Sequence, residues 1–249
     1  MCLIVFAWQL DPARPLVVAA NRDEFHARPA RPFGAWPDMP SIHAGRDLEA
    51  GGTWMGLGSS GRFAALTNIR DPLQPVGTRS RGELASAYLA GARSPDAYLE
   101  DVANRFEDYS GFNLLVGDRD SLWHLNARTG KPRELAPGVY GVSNADLDTP
   151  WPKLARSKSA FEDAWRMEST EPLFALLADR TVPPDEALPK TGVSLPLERL
   201  LGSAFIVSPD YGTRVSTVVE RRADGTCFVE ERQFDRDGNQ VGVVTWNGR

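Results

Sequence analysis

Two apolar runs of strand length, Cys2-Leu-Ile-Val-Phe-Ala-Trp8 and Leu16-Val-Val-Ala-Ala20, lie on either side of Asp11-Pro-Ala-Arg-Pro15, and they constrain this chain more than any other feature. β-Branched and aliphatic runs around a Pro-rich break read as a hairpin of buried strands. The chain is therefore expected to begin inside its own sheet. The apolar stretch from Met1 to Trp8 is far short of the roughly 20 residues that span a bilayer. It also lacks a basic leader and meets Gln9, Asp11 and Arg14 at once, so it does not read as an export signal. A cytoplasmic protein that does not span a membrane is expected. Cys2 and Cys227, the two cysteines, are then expected as free thiols rather than a bridge.

The rest of the sequence repeats the hairpin theme. Trp54–Leu57 and Arg62–Thr67 flank Gly58-Ser-Ser-Gly61, and Asn113–Gly117 precedes Ser121–Leu125. Gly138–Ser143 is a further strand. Ser203–Val207, Arg214–Val219, Thr226–Glu231 and Val241–Trp246 close the chain as strands, with turns at Asp224-Gly225 and Asp237-Gly-Asn239. Helical patterns occupy two blocks. The first opens at Ser80-Arg-Gly-Glu83, with capping-box spacing, and at Ser94-Pro95; the second covers Trp151–Met167 and Ser169–Arg180. Strands, two helices, strands, two helices and strands, joined by hairpins, favour antiparallel sheets with segregated helices over a doubly wound parallel sheet. The Pro-rich stretches Arg28–Thr53 and Leu188–Leu197 read as irregular. The 249 residues fit one large domain or two small ones, and with no linker evident one α+β domain over 1–249 is expected.

Charge excludes one partner class. Lys+Arg number 28 against 33 Asp+Glu, a net charge of -5, and neutralising a nucleic-acid backbone needs clustered excess cations. His26, His43 and His124 show no metal-ligand spacing, and neither a haem-attachment motif, a phosphate loop nor a nucleophile elbow is present, so no metal or cofactor is expected. Gly51-Gly-Thr-Trp54 leads into a strand and reads as a tight turn with Trp54 packed at its exit.

The candidate chemistry starts at Cys2. Removal of the initiator Met places this thiol beside a free α-amine. With a pKa of about 7.7–8.0, that amine can take the proton of a thiol near 8.5, the arrangement of N-terminal nucleophiles. A small hydrophobe in a buried strand is the alternative, and a retained Met blocks the chemistry. Asn21-Arg-Asp-Glu24 follows the second strand; alternation puts Asn21 and Asp23 on one face, Arg22 and Glu24 on the other. Hairpin pairing brings this segment near Cys2, where a carboxylate can orient the amine; a surface turn is the alternative. Asn68 and Asn144 end apolar strands, where amides serve either an oxyanion or a turn. Arg214, after Tyr211-Gly-Thr213, suits a substrate carboxylate, the thiolate or plain solvent.

Seven short motifs in order carry a family resemblance over essentially the whole chain: Met1-Cys-Leu-Ile4, Asn21-Arg-Asp-Glu24, Gly51-Gly-Thr-Trp54, Ala65-Leu-Thr-Asn68, Gly111-Phe-Asn-Leu-Leu115, Gly141-Val-Ser-Asn144 with Thr149-Pro-Trp-Pro-Lys153, and Tyr211-Gly-Thr-Arg214. The sequence resembles the NRDE family, also called the transport and Golgi organisation family. That resemblance implies an Ntn-hydrolase-like four-layer αββα sandwich of two antiparallel sheets. It is similar to the penicillin V acylase, bile salt hydrolase and acid ceramidase group, in which an N-terminal cysteine attacks an amide. By that similarity the catalytic set is Cys2, Asp23, Asn144 and Arg214, with Asn21, Arg22 and Asn68 binding substrate; Asp23 positions the amine, and Asn144 with Asn68 serves the oxyanion. The acylases carry a further arginine, and here Ala20 or its neighbour stands in its place, so Arg22 replaces it if the strand is shifted or twisted. The expected activity is hydrolysis of the C–N bond of a small amide or N-acyl compound. The family's association with Golgi organisation, haem trafficking and acyl-CoA or lipid metabolism implies the alternative, a non-catalytic carrier of haem or acyl-CoA.

Overall fold

β1 (Cys2–Trp8) and β2 (Leu16–Phe25) form the hairpin, in register from Cys2 opposite Arg22 to Trp8 opposite Leu16. Their unbroken apolar character has a direct cause, because both faces are covered. Leu3, Val5 and Ala7 pack under helices, whereas Ile4, Phe6 and Trp8 pack against a second sheet. Burying a side chain such as Phe6 or Leu16 from water contributes about 1.5–3 kcal/mol. The structure, a computed structural model, describes residues 2–248.

In chain order there follow β3 (Ala30–Ala35), β4 (His43–Asp47), β5 (Met55–Leu57), β6 (Phe63–Asn68), α1 (Gly82–Ala90), α2 (Pro95–Ala103), β7 (Phe112–Gly117), β8 (Leu122–Asn126), β9 (Arg133–Glu134) and β10 (Gly138–Val142). Then come α3 (Pro152–Ala164), α4 (Glu171–Leu177), α5 (Leu195–Leu200), β11 (Tyr211–Arg221), β12 (Cys227–Phe234) and β13 (Gln240–Gly248). One sheet has six strands in the order β10-β1-β2-β11-β12-β13, and the other has seven in the order β3 to β9. The ladders are antiparallel. The sheets meet through Phe6, Trp8, Val18, Phe63 and Leu115. Outside them, α1 and α2 cover the seven-stranded sheet through Leu84, Tyr88 and Leu99, and α3 and α4 cover the six-stranded sheet through Leu154, Phe161 and Phe174. The result is the four-layer αββα sandwich of two antiparallel sheets that the family resemblance implied, an α+β fold.

Local expectations fail where polar or buried context overrides pattern. The stretch 28–53, read as irregular, contains β3 and β4. β3 is an edge strand whose pairing shifts between Arg31 and Gly34, around Pro32, which has no N–H to offer a ladder. Ser203–Val207, read as a strand, is outside any strand. Its Phe205 N–H donates to Asp179 O at 2.8 Å and its Ile206 N–H to Thr213 Oγ1 at 2.9 Å, so a ladder partner is replaced by a helix end and a hydroxyl. α5 begins within the stretch 188–197 that was also read as irregular. The capping box at Ser80 does not form: α1 has Arg81 at its N-cap, and Glu83 instead accepts from Tyr109 Oη at 2.5 Å. β2 does not turn at Asn21 but continues to Phe25.

Candidate active site

At the end of the sandwich where β1 starts and β2 finishes, the space between the sheets opens into a cavity of about 650 Å³. That volume falls in the range of small-molecule sites. Cys2, Arg22, Asp23, Asn68 and Arg214 line it. Cys2 and Arg22 are cross-strand partners whose side chains emerge on the inter-sheet face, the face of Ile4 and Ala20. Arg22 therefore reaches the thiol's side by plain register, with no shift or extra twist of the strand. Asp23 belongs to the opposite face by alternation, and as β2 ends it still reaches the cavity wall.

Cys2 is 6% exposed, and Ser143 Oγ donates to its carbonyl at 3.0 Å. Burial pushes the thiol pKa up; Arg22 and a hydrogen bond from the Asp23 backbone oppose that shift. Such a thiol stays protonated unless a base acts on it. Asp23 is buried as well, and burial raises its carboxyl above the usual carboxylate range. Thr213 Oγ1 donates to Asp23 Oδ1 at 2.7 Å, and the Tyr211 hydroxyl donates to the Asp23 carbonyl at 2.9 Å.

Arg214 is delivered by a bulge. Thr213 pairs with Asp23 and Val215 with Arg22, leaving Arg214 as the extra residue on β11. Its Nη1 donates to the carbonyls of Phe25, His26 and Arg28 at 2.9, 3.3 and 3.2 Å, strapping the turn after β2 to the cavity wall.

Two expected residues sit elsewhere. Asn21 is a correction: it faces the helices, where its Nδ2 donates to Leu177 O and Ala204 O, each at 2.8 Å, and its Oδ1 accepts from Ser216 Oγ at 2.6 Å. With those bonds made on the far side of the sheet, Asn21 cannot bind substrate in the cavity. Asn144 is fully buried, bridging the two sheets behind the cavity wall rather than lining it. Its Nδ2 donates to the Asn68 carbonyl at 2.9 Å, while its Oδ1 accepts from Ser143 Oγ at 3.1 Å and Lys153 Nζ at 3.3 Å. Of the two expected asparagines at strand ends, Asn68 is the one on the wall itself.

Sequence reasoning missed the role of Lys153. It is 2% exposed in the first turn of α3, and burial pulls its amine down to about 8, against the opposing pull of Asp23 and Cys2. A signal existed. Cations are disfavoured at a helix N-terminus, so a lysine there needs a reason outside the helix. Glu231 was also missed; buried at the cavity wall, it accepts from the Phe33 N–H at 2.9 Å and so ties one sheet to the other. Gly51-Gly-Thr-Trp54 is the tight turn expected, with Gly51 at φ +79°. A Cβ on Gly52 would lie 2.4 Å from the Gly82 carbonyl carbon, so only glycine lets this turn press against the start of α1. Among the described residues, no group of three or more His, Cys, Asp or Glu is arranged to hold a metal ion. No helix among them is long and apolar enough to cross a membrane.

Residues 1–236, which include Cys2, Arg22, Asp23, Asn68 and Arg214, match a family model described as Transport and Golgi organisation 2. The chain belongs to the Transport and Golgi organisation 2 family. Within that family, it is 36% identical over 257 residues to the Transport and Golgi organization protein 2 homolog of Bos taurus, covering 94% of this chain and 93% of that one. It is 34% identical over 261 residues to the Homo sapiens homolog, covering 95% of each. In three dimensions it is similar to a C2A mutant of a conjugated bile acid hydrolase from Clostridium perfringens, with a TM-score of 0.53 at 8% identity over 100% of this chain and 97% of that one. The fold of this chain is thereby Ntn-hydrolase-like.

Proposed function

We propose that this protein is an N-terminal cysteine amidohydrolase acting on the C–N bond of a small amide or N-acyl compound. The observation that carries the reading is the register that sets Cys2 beside Arg22 and Asp23 in one cavity end. A thiol kept protonated by burial requires an adjacent base, and removal of the residue ahead of Cys2 supplies one as the α-amine. The amine takes the thiol proton, and Sγ attacks the substrate carbonyl carbon. The oxygen, now negative, accepts a hydrogen bond from the Asn68 amide. As the C–N bond breaks, the ammonium returns its proton to the departing amine. Water then attacks the thioester, regenerating the thiol and releasing a carboxylic acid. Asp23 orients the α-amine, while Arg214 fixes the turn that walls the site. Asn144, locked by Lys153 and Ser143, holds the Asn68 backbone in place.

The structural neighbour described as a conjugated bile acid hydrolase shares the fold and supports the reaction class without naming a substrate for this chain. The test measures amine release from a panel of N-acyl amides by protein trimmed to begin at Cys2. Release that Cys2→Ala abolishes is expected. Tight binding of haem or acyl-CoA with no release from any amide would overturn the reading in favour of a carrier.

A further inference from the structure

We infer that the substrate is an anion whose carboxylate or phosphate is received by Arg81. The inference rests on the amidohydrolase reading and adds the substrate's charge to it. Although the chain carries a net charge of -5, seven arginines line this cavity against five carboxylates. Four of the seven are neutralised by carboxylates in contact, as in Arg28 with Asp47 at 2.6 Å and Arg79 with Glu83 at 2.6 Å. Of the other three, Arg31 stands on the exposed rim and Arg214 is engaged by backbone carbonyls. Arg81 remains.

Its guanidinium is half-buried in the wall, within electrostatic reach of Cys2 and Glu24. Among the described residues it makes no ion pair, and its hydrogen bond is a long one, Nη1 to Gly111 O at 3.3 Å. Withdrawing a guanidinium from water with so few partners is costly, and a carboxylate or phosphate offers it two parallel charge-assisted bonds. The backbone adds to the demand. Arg81 is the N-cap of α1, where a helix already presents partial positive charge, and Glu83 of the first turn is turned away toward Arg79 and Tyr109. Arg81 is also held in place, because the Gly52–Gly82 approach and the bond from Thr53 N–H to Gly82 O at 3.1 Å pin the start of α1.

The experiment uses full-length Cys2→Ala protein, so that binding is read without turnover. Calorimetry compares N-octanoylglycine, its neutral glycinamide and N-octanoyl-O-phosphoethanolamine. Preference for a charged probe over the neutral one of roughly tenfold to a hundredfold is expected, about the worth of one charge-assisted hydrogen bond. The better of the two charged probes identifies carboxylate or phosphate. Adding Arg81→Gln should collapse the ratio to about one, and Arg81→Lys, which keeps charge without the fork, should leave an intermediate ratio. Equal affinity for charged and neutral probes, a preference that survives Arg81→Gln, or no binding of any probe at millimolar concentration would overturn the inference. Arg81-dependent preference without amine release from the unsubstituted protein would instead reject the hydrolase and keep the anion site. Equal release from charged and neutral probes would do the reverse.

Discussion

The two cysteines lie on one sheet, both buried, both with thiols pushed up by burial, and each opposite an arginine on the neighbouring strand. Cys227 pairs with Arg221 at the end of the sandwich where Trp8 meets Leu16; Cys2 pairs with Arg22 at the other end. At the Cys227 end the sheets close. Trp8, Leu16, Phe63 and Leu122 fill the space, and Arg221 lies over the Trp8 ring at 5.3 Å while donating to Gly61 O at 2.9 Å and Asp118 O at 2.5 Å. At the Cys2 end the sheets part around a cavity whose walls carry Asp23, Asn68 and unneutralised cations. A buried thiol beside an arginine is therefore common to both ends, and what sets the Cys2 end apart is open volume with polar groups converging on it.

The comparison is broken most forcefully at the closed end. Trp8→Ala should cost about 3–5 kcal/mol in urea unfolding, because a large cavity is left in a packed interface. A loss below about 1 kcal/mol would show that this end is not the packed one. At the open end, Asn68→Ala should lower turnover on the order of 100- to 1000-fold, the usual cost of an oxyanion donor, with the unfolding midpoint almost unmoved. Unchanged turnover would remove Asn68 from the reaction.

Lys153 sharpens the contrast through pH. Its amine is protonated in both folded and unfolded chains well below its folded value of about 8, and neutral in both well above the ordinary lysine value of 10.5. Between those values the unfolded chain holds a proton that the folded chain has released, so stability contributed by this residue rises with pH across that window. The slope is at most about 1.4 kcal/mol per pH unit. Unfolding free energies of the native sequence and Lys153→Met, measured from pH 8 to pH 10.5, should differ by this slope; parallel curves would mean that Lys153 is not buried as a strained cation. The smallest effect belongs to Cys227→Ala, which should cost about 1 kcal/mol and leave amine release as it was. Activity lost with Cys227 would erase the distinction between the two ends.

Much of this was legible in the sequence, for physical reasons. The first hairpin reads correctly because both faces of β1 and β2 are covered, which leaves an apolar run no other assignment. Asp23 and Arg22 follow from it, since register and alternation are fixed once Cys2 is paired. What strand pattern cannot show is what lies behind a strand. Asn21 and Asn144 look like cavity amides in one dimension, yet hydrogen bonds to helix ends and to the other sheet claim them. β3 was hidden because edge strands tolerate the Pro and Gly that mark loops. Lys153 and Arg81 were overlooked because charge at a helix start reads as surface until what lies beneath it, buried Asn144 for one and the cavity for the other, is seen.

The central claim is that Cys2, and not the equally buried Cys227, forms the acyl-enzyme. Protein beginning at Cys2 is incubated with an activated N-acyl amide, quenched in acid and digested, and the acyl mass is located by peptide mass spectrometry. A near-stoichiometric thioester on the Cys2 peptide, absent in Cys2→Ala and in protein that retains the preceding Met, is the expected result. Acylation of Cys227 instead, or equal labelling with the Met retained, would contradict the account.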